Sequence, residues 1–111
     1  MRNSAINKKE ILYTLLTLIP IGRVVSYSTL AKILRTHLRT VARYLAHNIQ
    51  LIIIPCHRVV KKNKDISGYS MGGPRIKALL LRIEGVCVRN YKVCSHEYYY
   101  DNEILKLLGI S

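Results

Sequence analysis

Residues 26–47, SYSTLAKILRTHLRTVARYLAH, hold the pattern on which the fold turns. Residues 28–34 read as a short helix with Ser26 or Ser28 as its cap, because a serine oxygen accepts amide protons that the first helical turn leaves unpaired. Thr36 is placed to cap a second helix running to about His47. In that helix Leu38, Val41, Ala42 and Leu45 fall at i, i+3, i+4 and i+7, one apolar stripe on a helical period. Arg39, Thr40, Arg43, Tyr44 and His47 are left for the opposite face, which is basic and aromatic.

Upstream, Asn7 and Glu10 have capping-box spacing, so a helix over about residues 8–18 is expected, stopped by Pro20 and Gly22. Residues 23–26 read as extended. Downstream, Pro74 suits a helix start, and Ile76, Leu79, Leu80 and Ile83 form a stripe that would bury the helix and carry Glu84 at its end to the core. Over residues 103–108 a last short helix is expected, with Ile104, Leu105, Leu107 and Leu108 buried and Gly109 as its stop. The fold class is therefore mostly α: a small winged-helix-like, helix-turn-helix domain over residues 1–86, with a short strand leading into Cys56. Residues 87–111 form an extension packed on the same domain.

A short helix, a tight turn and a second helix with a basic face resemble a helix-turn-helix, whose second helix enters a DNA groove. A surface helix with solvated arginines is the alternative this segment leaves open. Charge bears on the choice. Across 111 residues, 18 Lys and Arg face 6 Asp and Glu, a formal net charge of +12 that suits a polyanionic partner. The start, MRNSAINKKE, lacks an apolar targeting core, and the interrupted apolar stretch of residues 11–19 falls short of the roughly 20 residues a membrane span needs. A cytoplasmic, nucleoid-associated protein with no membrane partner is expected. Cys56, Cys87 and Cys94 make neither an even disulfide framework nor a paired metal motif, so no metal is expected; Cys87 and Cys94 could form an internal disulfide, but are read as ordinary reduced side chains.

The apolar run of residues 51–54 reads as a buried strand leading into Pro55-Cys56-His57-Arg58-Val59-Val60. A cysteine ending such a run is by default a small core hydrophobe. His57 beside it suggests otherwise, since a base that removes the thiol proton makes the reactive thiolate. Neighbouring side chains on extended backbone point to opposite faces, so the pair works together only if the chain turns there or a water links the two groups.

Taken together, the run from Ile19 through Gly22-Arg23-Val24-Val25-Ser26-Tyr27-Ser28-Thr29-Leu30-Ala31, then Ile54-Pro55-Cys56-His57-Arg58-Val59-Val60, then Gly68-Tyr69, Lys77, Leu79-Leu80 and Glu84-Gly85, resembles the active-site domain of O6-alkylguanine-DNA alkyltransferases. The resemblance covers about residues 8–86. It implies irreversible transfer of the alkyl group from O6-alkylguanine in duplex DNA to Cys56, with no cofactor, by a monomer. It further implies that His57 and Glu84 draw off the thiol proton through a water and that Tyr27 gives a proton to the departing guanine. Tyr69, Ser70 and the Val59 backbone would line the base pocket, and Asn48 would be the hinge between helix and active site. Because O6 cannot be reached in a stacked pair, the nucleotide must be turned out, with Arg39 filling the space it leaves. Thr40, Arg43, Tyr44 and Arg58 complete the implied DNA-contacting set. The class alternative is a non-catalytic alkyltransferase-like protein that binds alkylated DNA and recruits other repair factors. Such proteins usually lack the acceptor cysteine.

This chain departs from the family pattern in four ways. Arg43 stands where small residues are favoured, and the turn between Tyr27 and Arg39 is about two residues shorter. Ser67 occupies a position that is often glycine. The N-terminal domain of many members is not seen ahead of the active-site domain, which leads to the expectation that the C-terminal tail, or a partner protein, covers the surface it would protect.

Overall fold

A computed structural model describes residues 7–48, 54–67 and 73–110. Helix α1, Lys8–Leu16, begins as its capping box dictates: the Asn7 side-chain oxygen accepts from the Glu10 amide at 2.9 Å, and Asn7 Nδ2 donates to the Glu10 carboxylate at 3.2 Å. Strand β1, Val25–Ser26, runs into α2, Tyr27–Leu34, with Ser26 as its cap. Helix α3, Leu38–Ala46, starts later than Thr36 and carries no side-chain cap. The reason lies in the end of α2: Arg35 takes a left-handed conformation, and the amides of Arg35 and Thr36 still close α2 on the carbonyls of Lys32 and Ala31. Val41 and Leu45 are buried and Ala42 is half-buried. Leu38, expected in the same stripe, is 52% exposed because the late start leaves it at the rim.

The strand run expected over residues 51–54 falls mostly outside the described residues. Beyond it, a 3₁₀ turn at Cys56–Arg58 hands on to β2, Val59–Val60, which pairs parallel with β1 in the register Val25↔Val59 and Ser26↔Val60. α1, α2 and α3 close one core around Leu12, Leu16, Leu30, Val41 and Leu45. A second core, around Val24, Val60, Ile66, Leu81 and Val93, lies under α4, Gly73–Ile83.

α4 is turned differently from its apolar stripe. Lys77, Ala78 and Leu81 are buried, while Ile76, Leu79 and Ile83 are 41%, 51% and 72% exposed. A shift of one residue rotates a helix face by about 100°, and Glu84, just beyond the helix, is anchored by Arg58 and His57.

The C-terminal extension adds two strands and a helix. β3, Val88–Arg89, and β4, Lys92–Val93, form an antiparallel hairpin whose turn residues Asn90 and Tyr91 both have positive φ, the conformation of a tight primed turn. This register sets Cys87 opposite Cys94 with Cα atoms 5.4 Å apart, and the two are disulfide-bonded rather than reduced as the sequence suggested. Helix α5, Asp101–Leu107, buries Ile104 and half-buries Leu105. Leu107 and Leu108, expected inside, are 63% and 39% exposed, since a helix this short turns only one side to the core.

The extension is joined to the helical core at β1. The Val24 amide donates to Tyr98 O at 2.9 Å and the Tyr100 amide to Val24 O at 2.7 Å. Arg23 is paired with Glu103 at 2.7 Å. Ser26 Oγ donates to Asp101 Oδ2 at 2.5 Å, the Thr29 hydroxyl donates to the same oxygen, and the Ser26 amide reaches the carboxylate at 3.3 Å. Asp101 therefore supplies the negative charge that the N-terminus of α2 favours. We expect Asp101→Ala to lower unfolding stability in urea by about 2 kcal/mol, the scale of hydrogen bonds to a charged group, with Asp101→Asn intermediate. An unchanged midpoint for Asp101→Ala would show that the carboxylate carries no such role.

Candidate active site

Cys56 and His57 share the 3₁₀ turn after Pro55 and are only 5% and 6% exposed. The chain thus turns here instead of running extended, as the sequence reading required of the pair. Buried Asn48, just beyond α3, holds the turn: its Nδ2 lies 2.7 Å from Cys56 Sγ and 2.8 Å from Ile54 O. One amide thus fixes the end of α3, the turn and the thiol relative to one another. Burial pushes the Cys56 thiol above its ordinary value of 9.0, against the opposing pull of the Asn48 hydrogen bond and the Lys77 charge. At rest near neutral pH the sulfur keeps its proton.

His57 is the neighbouring base. Burial pulls its imidazole below the ordinary 6.5 despite the pull of Glu84 in the other direction, so the ring is neutral near pH 7 and able to take a proton. Nε2 stands 3.0 Å from Glu84 Oε2, while Nδ1 has no protein hydrogen-bond partner among the described residues. Glu84 is held in turn by Arg58, which donates from Nε at 2.8 Å and from Nη2 at 2.5 Å. Burial acts to raise the Glu84 carboxyl, but Arg58 and His57 outweigh it and leave it below 4.5. The third arm of Arg58 reaches Ile19 O at 2.9 Å, and its side chain is only 11% exposed. Arg58, expected from the resemblance to contact DNA, is engaged here with the Glu84 carboxylate and Ile19 O.

Tyr27, the first residue of α2, is 8% exposed, and burial with the nearby sulfur pushes its phenol up to about 12. It holds its proton at neutral pH. Lys77 lies beside it, with Nζ 5.6 Å from the ring centroid. Lys77 is 1% exposed, its Nζ has no hydrogen-bond partner among the described residues, and burial pulls it down to about 8. The sequence motif included Lys77 without a role. The signal that marks it is its place on the face shared with Ala78 and Leu81, where a lysine is out of character.

Residues 7–86 match the family described as 6-O-methylguanine DNA methyltransferase, DNA binding domain. The chain belongs to this family. It is 47% identical over 73 residues to the methylated-DNA--protein-cysteine methyltransferase of Archaeoglobus fulgidus, covering 61% of this chain and 49% of that one. The Saccharolobus solfataricus protein of the same name is 47% identical over 68 residues, covering 61% and 44%. The chain thus spans about half the length of the curated relatives it matches. Among solved structures, the O6-methylguanine-DNA methyltransferase of Pyrococcus kodakaraensis aligns with a TM-score of 0.65 at 40% identity, over 70% of this chain and 46% of that one. Schizosaccharomyces pombe Atl1, in complex with damaged DNA containing O6-carboxymethylguanine, aligns with a TM-score of 0.75 at 26% identity, over 89% and 97%.

Of the positions that the alkyltransferase resemblance singled out, the structure joins Cys56 to Asn48 and His57 to Glu84, and it buries Tyr27 within electrostatic reach of the sulfur. Val59 is buried in β2 opposite Val25. Arg39 and Arg43 are exposed on α3 and Thr40 is half-buried. Tyr44, read as an outer-face residue, instead packs its ring partly into the first core, with the Arg43 guanidinium 5.8 Å from its centroid. Tyr69 and Ser70 lie outside the described residues.

The Glu84 linkage has a defined sign. Because its folded pKa is depressed, its contribution is present above 4.5 and is lost as the pH falls through the lower folded value. We expect Glu84→Gln to be less stable than the parent at pH 7, with the gap narrowing as the pH falls below 4.5 and through the lower folded value. Urea midpoints measured from pH 7 downward check this; a gap independent of pH would contradict it.

Proposed function

We propose that this protein repairs O6-alkylguanine in duplex DNA by moving the alkyl group irreversibly onto Cys56. The observation that carries the reading is the buried thiol, held by Asn48 and followed directly by a neutral histidine paired with an anchored glutamate. In the reaction the Cys56 proton passes to His57, directly or through a water, and the sulfur forms a bond to the alkyl carbon. The carbon–O6 bond breaks and its electron pair goes to the guanine, which takes a proton from Tyr27 and leaves neutral. The thioether is stable, so each molecule acts once. Glu84 stabilises the imidazolium as it forms, and Lys77 places positive charge near both the sulfur and the phenol.

The target nucleotide must leave the stack to reach this buried sulfur. Arg39 on the exposed face of α3 fits the task of filling the space, with Thr40 and Arg43 along the same helix, while Tyr69, Ser70 and Val59 would line the base pocket. The partner is duplex DNA, and the place of action is the cytoplasm, on nucleoid DNA. Among the described residues no helix is long and apolar enough to cross a membrane. A second reading, a non-catalytic protein that binds alkylated DNA and recruits others, draws on the near full-length alignment with Atl1.

Intact mass separates the two. After incubation with O6-methylguanine duplex, the protein is expected to gain one methyl group on the peptide containing Cys56, and Cys56→Ser to gain none. Binding without any mass change would favour the second reading. For the relay, His57→Ala is expected to slow single-turnover transfer by roughly 100- to 10,000-fold, and transfer at the parent rate would remove His57 from the mechanism.

A further inference from the structure

Residues 61–64 read Lys-Lys-Asn-Lys, and the loop they form after β2 is gripped from behind by the C-terminal extension. Tyr99 Oη donates to Lys61 O at 2.5 Å, His96 Nε2 lies 3.2 Å from Lys62 O, and the Val93 amide donates to Lys64 O at 2.9 Å. Just past the loop, the Ile66 amide donates to Tyr91 O at 3.0 Å, and Asp65 bridges to Lys92. Every one of these contacts to the loop engages backbone. The lysine side chains are left over: Lys61 and Lys62 are exposed, and among the described residues none of the three lysines is ion-paired. The loop is followed by one acid, Asp65, whose Oδ1 accepts from the Ser67 amide at 2.8 Å and hydroxyl at 2.6 Å and whose charge is felt by Lys61 and Lys92 without an ion pair forming.

Lys61 and Lys62 line one side of a cavity of about 590 Å³ whose other lining residues include Arg39 and Ala42 of α3, together with Tyr27. The basic loop and the basic helix thus line one cavity, to which Tyr27 of the candidate active site also contributes. We propose that the loop is a second DNA-contacting wall, in which Lys61 and Lys62 bind backbone phosphates of the duplex that α3 engages, and that the C-terminal hairpin and its following turn are the brace that sets this wall. Lysine suits the task as a mobile point charge that finds a phosphate oxygen without demanding one geometry. A backbone fixed in advance removes much of the ordering cost that a free loop would meet on binding. The proposal rests on the reading of the protein as DNA-acting and assigns a function to the segment beyond residue 86.

The test measures affinity for an undamaged duplex by fluorescence anisotropy over a series of salt concentrations. Lys61→Gln/Lys62→Gln is expected to weaken binding and to flatten the slope of log K against log salt by about 2, since each phosphate contact contributes roughly 0.9. Lys9→Gln/Lys106→Gln removes the same charge from α1 and α5 and is expected to keep the parent slope. Tyr99→Phe keeps both lysines, removes one hydroxyl from the brace and is expected to weaken binding about 2- to 10-fold, the scale of one hydrogen bond. A parent-like slope for the loop variant, or the same flattening in the control, overturns the wall. Parent-like binding by Tyr99→Phe overturns the brace. Mass transfer to Cys56 is scored separately: a flattened slope with no transfer sinks the repair reading and leaves the wall standing, and transfer with an unchanged slope does the reverse.

Discussion

One carboxylate, that of Glu84, holds together parts of the chain that are distant in sequence. It sits just past the end of α4, receives two hydrogen bonds from Arg58 and lies against the His57 imidazole, all three side chains being 15% exposed or less. Because Arg58 also reaches Ile19 O, the end of α1, the catalytic turn and the end of α4 meet at this point. Gly22 belongs to the same junction: its φ is +89°, and a Cβ there would come within 3.2 Å of Glu84 O, a place where glycine is the natural occupant. Removing one partner from such a buried cluster costs several kcal/mol, because the remaining charge stays buried without compensation.

The same arrangement sets the order of proton movements. Burial keeps the Cys56 thiol, the Tyr27 phenol and the His57 ring in their neutral forms at rest, each by penalising charge. Lys77 and Asn48 oppose that penalty at sulfur alone. A thiolate formed here is thus penalised less than burial alone would dictate, and the groups around it are poised as a neutral acceptor and a neutral donor.

Local chemistry was legible in the residues; long-range packing was not. The Asn7–Glu10 cap, the Ser26 cap and the meeting of Glu84 with His57 follow from spacing within a few turns of chain or from a motif. The rotation of α4 did not, because periodicity ranks Ile76, Leu79 and Ile83 as inward and has no term for a buried lysine answering a thiol and a phenol. The engagement of Arg58 was not legible for the same reason, since its carboxylate partner is separated from it by 26 residues. The Cys87–Cys94 bond was hidden by a hairpin whose turn is Asn-Tyr rather than a glycine-containing pair. Leu107 and Leu108 were misplaced because composition does not reveal how little of α5 the core covers.

The pairing of Val24 with residues 98–100, and of Ser26 with Asp101, has a consequence for how the chain is made. The segment matched by the family ends at residue 86, yet the strand and the helix cap at its centre are completed by partners about 75 residues downstream. During synthesis the first three helices leave the ribosome with the Val24 amide and carbonyl unsatisfied, and the start of α2 without its countercharge. Until residues 98–101 emerge, those groups have only water as partner, and the native contacts of β1 and the α2 cap cannot form. The molecule's non-local contacts make it a slower folder than a helical bundle of equal length.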